Sequence, residues 1–400
     1  IKDTKNGKFY FYLNQIDGIN TSEILPEIIN EIINNFVWPK SQRWAYSELK
    51  WARPLRNILL LFNNQPIEGK VAIDKNNFLN FSTHTFGHRN ENKKIEVENI
   101  DEYERLLENN YIILDRKKRK NKIINDTKLL LKDKDIKLLD DDYLLDEVLG
   151  LVEFPNVLIG TIDKQFMNLP KEVLTTAMKV HQKYFSIIDD KNNLVPKFLF
   201  VSNTIPEKER DKSIIEGNER VLKARLSDAD FFWKTDTSIK IENFNEKLKK
   251  VLFYEGLGSL HDKTIRLSAV SKYFSSLFKV DVFLATEACI LSKFDLVSEM
   301  VGEFPELQGI MGGYYTKLNG KPNEISNAIF DQYKPKGISN DMPKTKLGCM
   351  LSMVDNIDNL TGFFIINKKP SGSKDPFALR RAGFSTVSYT HLTLPTSDLV

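Results

Sequence analysis

His261-Asp262 sets an imidazole beside a carboxylate, a donor pair suited to a divalent transition metal. Metal-assisted hydrolysis of a phosphate on a helical scaffold would need a first His, a later His-Asp pair and a distant Asp. With His261 as first ligand, the later pair would fall within 288–295, which reads Ala-Cys-Ile-Leu-Ser-Lys-Phe-Asp. Lys293 and Phe294 stand near the required position, and an ammonium repels a metal ion. Asp355 and Asp358 could serve as the distant acid, but the only histidine downstream of His261 is His391. The expectation is therefore no metal centre, with His261 at a helix N-terminus.

Other routes to catalysis are equally bare. Activation of an amino acid by ATP needs a Gly-rich adenylate loop with an Arg-bearing motif, or a His-Ile-Gly-His element with a lysine-serine loop. Neither occurs; Ser371-Gly372-Ser373-Lys374-Asp375 resembles the lysine-serine loop but has no partner element. Gly-x-Gly-x-x-Gly and Walker-type loops are also missing. No residue is expected to be catalytic.

Cationic groups are the remaining chemistry. Arg43, Arg53 and Arg56 share a short segment with Trp38, Trp44 and Trp51, and guanidinium beside indole can hold phosphate and stack on bases. Buried tryptophans with arginines paired to acids such as Glu48 would explain the same pattern. His88 and Arg89 follow Gly87 in a tight turn that fits RNA contact or a structural role. His181 and Lys183 precede a strand as a displayed polar triplet with Gln182. Arg220 lies on a helix whose buried stripe is Leu222, Leu226, Ala229 and Trp233; Lys223 and Arg225 are expected on other faces. Lys374, Arg380 and Arg381 could meet phosphate or a partner, or cap a helix. The run 116–120, Arg-Lys-Lys-Arg-Lys, is expected to be a solvated helix face.

These residues need elements to hold them. The 400 residues predict two or three domains, and 41% apolar content is ample for cores. With 28% charged residues and a net charge of +3, nucleic-acid contact must come from local patches. Cys289 and Cys349 are isolated, which excludes a disulfide framework or zinc spacing and points to the cytoplasm. No apolar run reaches membrane length and no signal peptide opens the chain.

Periodicity predicts strands at 9–13, 57–62, 71–73, 111–114, 157–159, 185–188 and 198–201, a turn at Asn63-Asn64, and helices at 23–36, 101–108 and 115–132. Helices then dominate: 217–233, 241–252, 262–278, 284–301, 324–333 and 345–364. The fold class is α+β, a mixed region over 1–205 followed by an all-helical region over 206–384, with the boundary in the polar segment 203–211. The Thr/Ser-rich 385–400 lacks helical periodicity and is expected to be foreign sequence or a frame error. Ile1 falls in mid-pattern, so a native start is expected to be missing.

Two further stretches, Met300-Val301-Gly302-Glu303-Phe304-Pro305-Glu306-Leu307-Gln308-Gly309-Ile310-Met311-Gly312 and Ser371 to Arg381, carry a resemblance instead of chemistry. With Pro39 to Trp44, Ala52 to Arg56, Thr85 to Arg89, Leu145 to Val148, Leu151 to Pro155, His181 to Phe185, Glu216 to Ala229 and Asp262 to Thr264, they run in the order of one family. The chain resembles the β subunit of the two-subunit bacterial glycyl-tRNA synthetase. That resemblance implies a partner α subunit carrying a class II site, which uses ATP with Mg to make glycyl-adenylate, in an α2β2 assembly. It implies tRNA(Gly) binding by this chain, no cofactor of its own, and a helical part related to His-Asp phosphohydrolases without their ligands. The family's N-terminal segment and its anticodon-binding domain are absent, so this stretch alone should bind tRNA poorly and charge nothing. A metal phosphohydrolase and a stand-alone RNA-binding protein are the competing readings.

Overall fold

The computed structural model describes residues 2–5, 7–10, 12, 18–44, 46–132, 135–335 and 342–393. It is α+β, with a mixed region first and a helical region after it. The chain divides into two compact units, 1–130 with 145–157 and 201–207, and 131–144 with 158–200 and 208–400.

In the first unit, helix Thr21–Asn35 precedes a three-stranded sheet. Phe78–Ser82 is its central strand, parallel to Ile58–Leu59 and antiparallel to Lys70–Ala72. Asn63 and Asn64 take φ of 51° and 60° and close the hairpin Leu61–Phe62 to Gln65–Pro66, as an Asn-rich primed turn should. Helices Tyr103–Asn109 and Arg116–Leu131 occupy the expected places. The strand expected at 111–114 does not form. Tyr111 adopts φ 58°, Ile112 donates back to Leu107 O, and Ile113 donates to Glu153 O, so the segment terminates a helix. Of the strand expected at 9–13, Phe9 ends strand Gly7–Phe9; Phe11 and Leu13 lie outside the described residues.

The second unit holds a four-stranded sheet ordered Ile136–Leu138, Phe185–Asp189, Leu194–Asn203, Pro155–Thr161. Its helices include Lys208–Thr237, Ile241–Leu248, Leu260–Phe278, Val282–Leu291, Ile310–Leu318, Asn323–Asp331, Lys346–Ile365 and Leu379–Thr393. Leu158, Phe166, Val173 and Phe198 share one apolar cluster with Leu222, Leu226, Tyr315 and Met350. Residues 158–200 therefore pack with the helices, and the expected boundary at 205/206 does not separate the two cores. Helix Lys208–Thr237 also starts inside the polar segment read as the boundary.

Helix 284–301, expected as one piece, is broken into Val282–Leu291, a 3₁₀ turn Phe294–Val297 and Glu299–Glu303. Ser298 caps the last piece, and Asp236 accepts hydrogen bonds from Glu299 N and Met300 N, both at 3.0 Å. Helix 241–252 stops at Leu248, and Leu252–Tyr254 pairs instead with Gly258–Ser259. Helix Leu379–Thr393 crosses the stretch expected to lack helical pattern; 394–400 lie outside the described residues.

Close helix packing explains the paired glycines at 312–313. A Cβ on Gly313 would lie 2.4 Å from the Phe330 ring, whereas one on Gly302 would meet nothing within 4 Å. Gly313→Ala should lower stability by about 1–3 kcal/mol in urea unfolding, the cost of overpacking a core. Gly302→Ala should stay within ~0.5 kcal/mol of the parent.

Candidate functional site

Lys263 is 3% exposed, one helical turn before Leu267 on the buried face of Leu260–Phe278. Its ammonium donates to Asp358 Oδ2 at 2.9 Å and Asn359 Oδ1 at 2.8 Å. It also lies 2.9 Å from Asp355 Oδ1, close enough for an ion pair but not aligned as a hydrogen bond. Lys293, 2% exposed, donates to Asp355 Oδ2 and Gln332 Oε1, both at 2.9 Å, and to Tyr333 OH at 3.3 Å. Arg266 grips Asp358 with two nitrogens at 2.7 and 3.1 Å. Three cations and two carboxylates thus form one continuous chain. Burial alone would raise the Asp355 carboxyl, but Lys263 and Lys293 outweigh it and hold that group well below the usual carboxylate range.

This is where the expected distant acids Asp355 and Asp358 stand, and lysine ammonium groups satisfy them. His261 lies in the first turn of its helix, and Asp262 completes a capping box with Ser259. Hydrogen bonds from the Ser259 backbone and hydroxyl keep the Asp262 carboxyl low. The His-Asp pair therefore serves a helix start. No group of three or more His, Cys, Asp or Glu placed to hold a metal ion occurs among the described residues. Lys263 and Arg266 escaped the sequence reading; a cation on the apolar stripe with Leu267 was the available signal.

Asp295 is fully buried, and its Oδ2 accepts from Gly309 N at 2.6 Å and Gly312 N at 3.0 Å. Its Oδ1 has no hydrogen-bond partner among the described residues. Burial raises its pKa to about 6, against the pull of the two backbone N–H groups and Lys293. Gly309, at φ 79°, supplies the left-handed turn that brings both amides to one oxygen. The stretch 300–312 is thus built around a buried acid.

The candidate cations separate into bound and free. Arg43, Arg53, Arg56 and Arg89 are exposed, and no acid pairs with them among the described residues. In the same segment as the first three, Phe36, Trp38 and Trp51 form an aromatic cluster with centroids 4.7 to 5.6 Å apart. An open groove of about 740 Å³ runs past Phe36, Trp38, Ser41, Glu48 and Lys50. His88, read as an RNA contact or a structural turn, is buried, its Nε2 3.2 Å from Asn203 Oδ1. Asn203 Oδ1 also accepts from Glu153 N and Phe154 N, so it needs a proton from His88 and fixes the ring as a structural post.

His181 is exposed on a π-helical turn, edge-on to Phe304, and Lys183 follows at φ 59°. Arg220 and Lys223, expected on separate faces, line one cavity of about 310 Å³ with Thr161 and Glu219, because three residues is close to one helical turn. Lys223 pairs there with Asp163, and Arg225 with Glu303. Arg380 is turned back onto the Ser371 and Gly372 carbonyls, while Asp375 caps the helix by accepting from Leu379 N and Arg380 N. Lys374 and Arg381 are exposed. In the run 116–120, Arg116 pairs with Asp146, Lys118 with Glu104 and Glu108, and Arg119 donates to two carbonyls. That run is held by its own neighbours. No helix among the described residues is long and apolar enough to cross a membrane.

The family model described as glycyl-tRNA synthetase beta subunit matches residues 1–397. The glycine–tRNA ligase beta subunit of Rickettsia canadensis (strain McKiel) is 43% identical over 383 residues, covering 96% of this chain and 56% of that protein. The protein of the same description from Rickettsia bellii (strain OSU 85-389) is 45% identical over 380 residues, covering 94% and 56%. That from Rickettsia felis (strain ATCC VR-1525 / URRWXCal2) is 41% identical over 385 residues, covering 96% and 56%. The chain spans about half the length of these relatives.

Removing one partner of the buried ion chain should cost more than removing the pair. Lys293→Ala should lower the unfolding free energy by about 3–5 kcal/mol, and Lys293→Met with Asp355→Leu should recover much of that loss. Asp295 has its own signature. Its folded pKa lies above the unfolded value of 3.8, so its contribution is present below about pH 4 and lost as pH rises through about 6. Urea midpoints between these pH values should show that fall, and Asp295→Asn should remove it.

Proposed function

The chain belongs to the glycyl-tRNA synthetase beta subunit family, and from that membership we propose that it is the non-catalytic β subunit of a glycine–tRNA ligase. In this reading it holds tRNA(Gly) so that the 3′ end reaches a class II site on a partner α subunit, in a cytoplasmic α2β2 assembly. ATP and Mg act on that partner, and this chain contributes binding and orientation. Lysines occupying the acid cluster at Asp355 and Asp358 support a role without metal hydrolysis.

The observation that supports the RNA contact is that Arg43, Arg53 and Arg56, exposed and without an acid partner among the described residues, share one segment with the Phe36–Trp38–Trp51 cluster. A guanidinium with no protein acid is free to neutralise a phosphate and release its counterion. The half-exposed Phe36 ring, and the partly buried Trp38 and Trp51 with it, can stack on an unpaired base. Arg89 and Lys374 extend the candidate set, with His181 and Lys183 at the strand entrance. The region 1–205 is the proposed tRNA- or partner-contacting module.

Glycylation of tRNA by the full-length protein should require an α-type subunit; charging without one would overturn the assignment. Arg53→Glu and Arg56→Glu should each weaken tRNA affinity and reduce the salt slope by about 1. Lys118→Glu, at a cation already paired twice, should leave that slope unchanged. Equal slopes in all three variants would remove the arginine segment from the interface.

A further inference from the structure

A cavity of about 430 Å³ in the helical unit is walled in part by Tyr333, Asp355, Asn356, Asn359, Phe377 and Arg381. Its volume falls in the range of small-molecule sites. Its rim carries a cation. Behind the wall, Lys263, Lys293 and Arg266 are matched by Asp355 and Asp358, with Asp295 also drawing on Lys293. Arg381 stands at the exposed rim, and no acid forms an ion pair with it among the described residues. Asp355 is the carboxylate on the wall, and the two ammonium groups hold it.

The neutral groups suit a polar, planar ligand. Asn359 gives its Oδ1 to Lys263, which leaves its amide N–H groups as donors. Asn356 has no protein partner among the described residues. Tyr333 and Phe377 supply aromatic wall beside these amides.

We propose that this cavity binds a nucleoside monophosphate, with Arg381 at the phosphate and the Asn356 and Asn359 amides at the base or sugar. The ligand is a free nucleotide or the terminal nucleotide of an RNA strand. This site is separate from the arginine segment at 43–56, so either can fail without the other.

The test is calorimetric titration of the full chain with AMP, and with inorganic phosphate as the minimal probe. AMP should bind saturably and more tightly than phosphate. Arg381→Ala should weaken AMP roughly tenfold or more, the worth of one charge-assisted contact, with Arg381→Lys retaining part of the affinity. Arg220→Ala, at another cavity, should leave it unchanged. Displacement of AMP by tRNA would identify an RNA end as the occupant; no displacement would identify the free nucleotide. Absence of saturable AMP binding, or wild-type affinity in a folded Arg381→Ala protein, would overturn the proposal.

Discussion

Two ammonium groups buried in a helical core must each find enough acceptors, and the arrangement of the helical unit around them follows from that demand. Lys263 comes from helix Leu260–Phe278 and Lys293 from the turn after Val282–Leu291. Their carboxylates stand on Lys346–Ile365, and Gln332 and Tyr333 follow Asn323–Asp331. Desolvating a charge costs several kcal/mol, so these four elements must keep geometries that satisfy every donor. Lys263 and Lys293 also lie over the Phe253 and Tyr333 rings, 4.5 and 4.4 Å from their centroids.

A second use of buried acids complements the first. Asp236 ties two backbone amides of Glu299–Glu303 to the Tyr315 hydroxyl, and Asp295 ties two amides at the start of Ile310–Leu318. Short helices joined by tight turns leave many unpaired N–H groups, and a carboxylate can accept several at once. The stretch 300–312 is distinctive because it must meet these two acids. Gly309 answers to φ and Gly312 to close approach.

Function on this chain depends on which cations remain unclaimed. The densest run, 116–120, is largely satisfied by Asp146, Glu104, Glu108 and carbonyl oxygens. Arg380 is committed to its own loop, whereas Arg381, next in sequence, points to the rim of a cavity. Adjacent helix residues differ by 100° in direction, which suffices to give two arginines different tasks.

Much of this architecture was legible in the sequence. Helical period placed Thr21–Asn35, Arg116–Leu131 and Lys346–Ile365, alternation placed Pro155–Thr161 and Phe185–Asp189, and Asn63-Asn64 marked a turn, because these depend on near neighbours; Phe78–Ser82 and Ile136–Leu138 were missed. The histidine count and the position of Lys293 argued against a metal-ligand set, and the Lys293 ammonium is found on Asp355. The break at 292–298, the loss of a strand at 111–114 and the burial of His88 could not be read there. Each depends on a partner far along the chain: Asp236 for Glu299, Glu153 for Ile113, Asn203 for His88. Residue type settles that a group can carry charge or donate a proton. Whether it meets an acid, a carbonyl or solvent is decided only when distant segments pack, because neutralising or exposing a charge is a property of its surroundings.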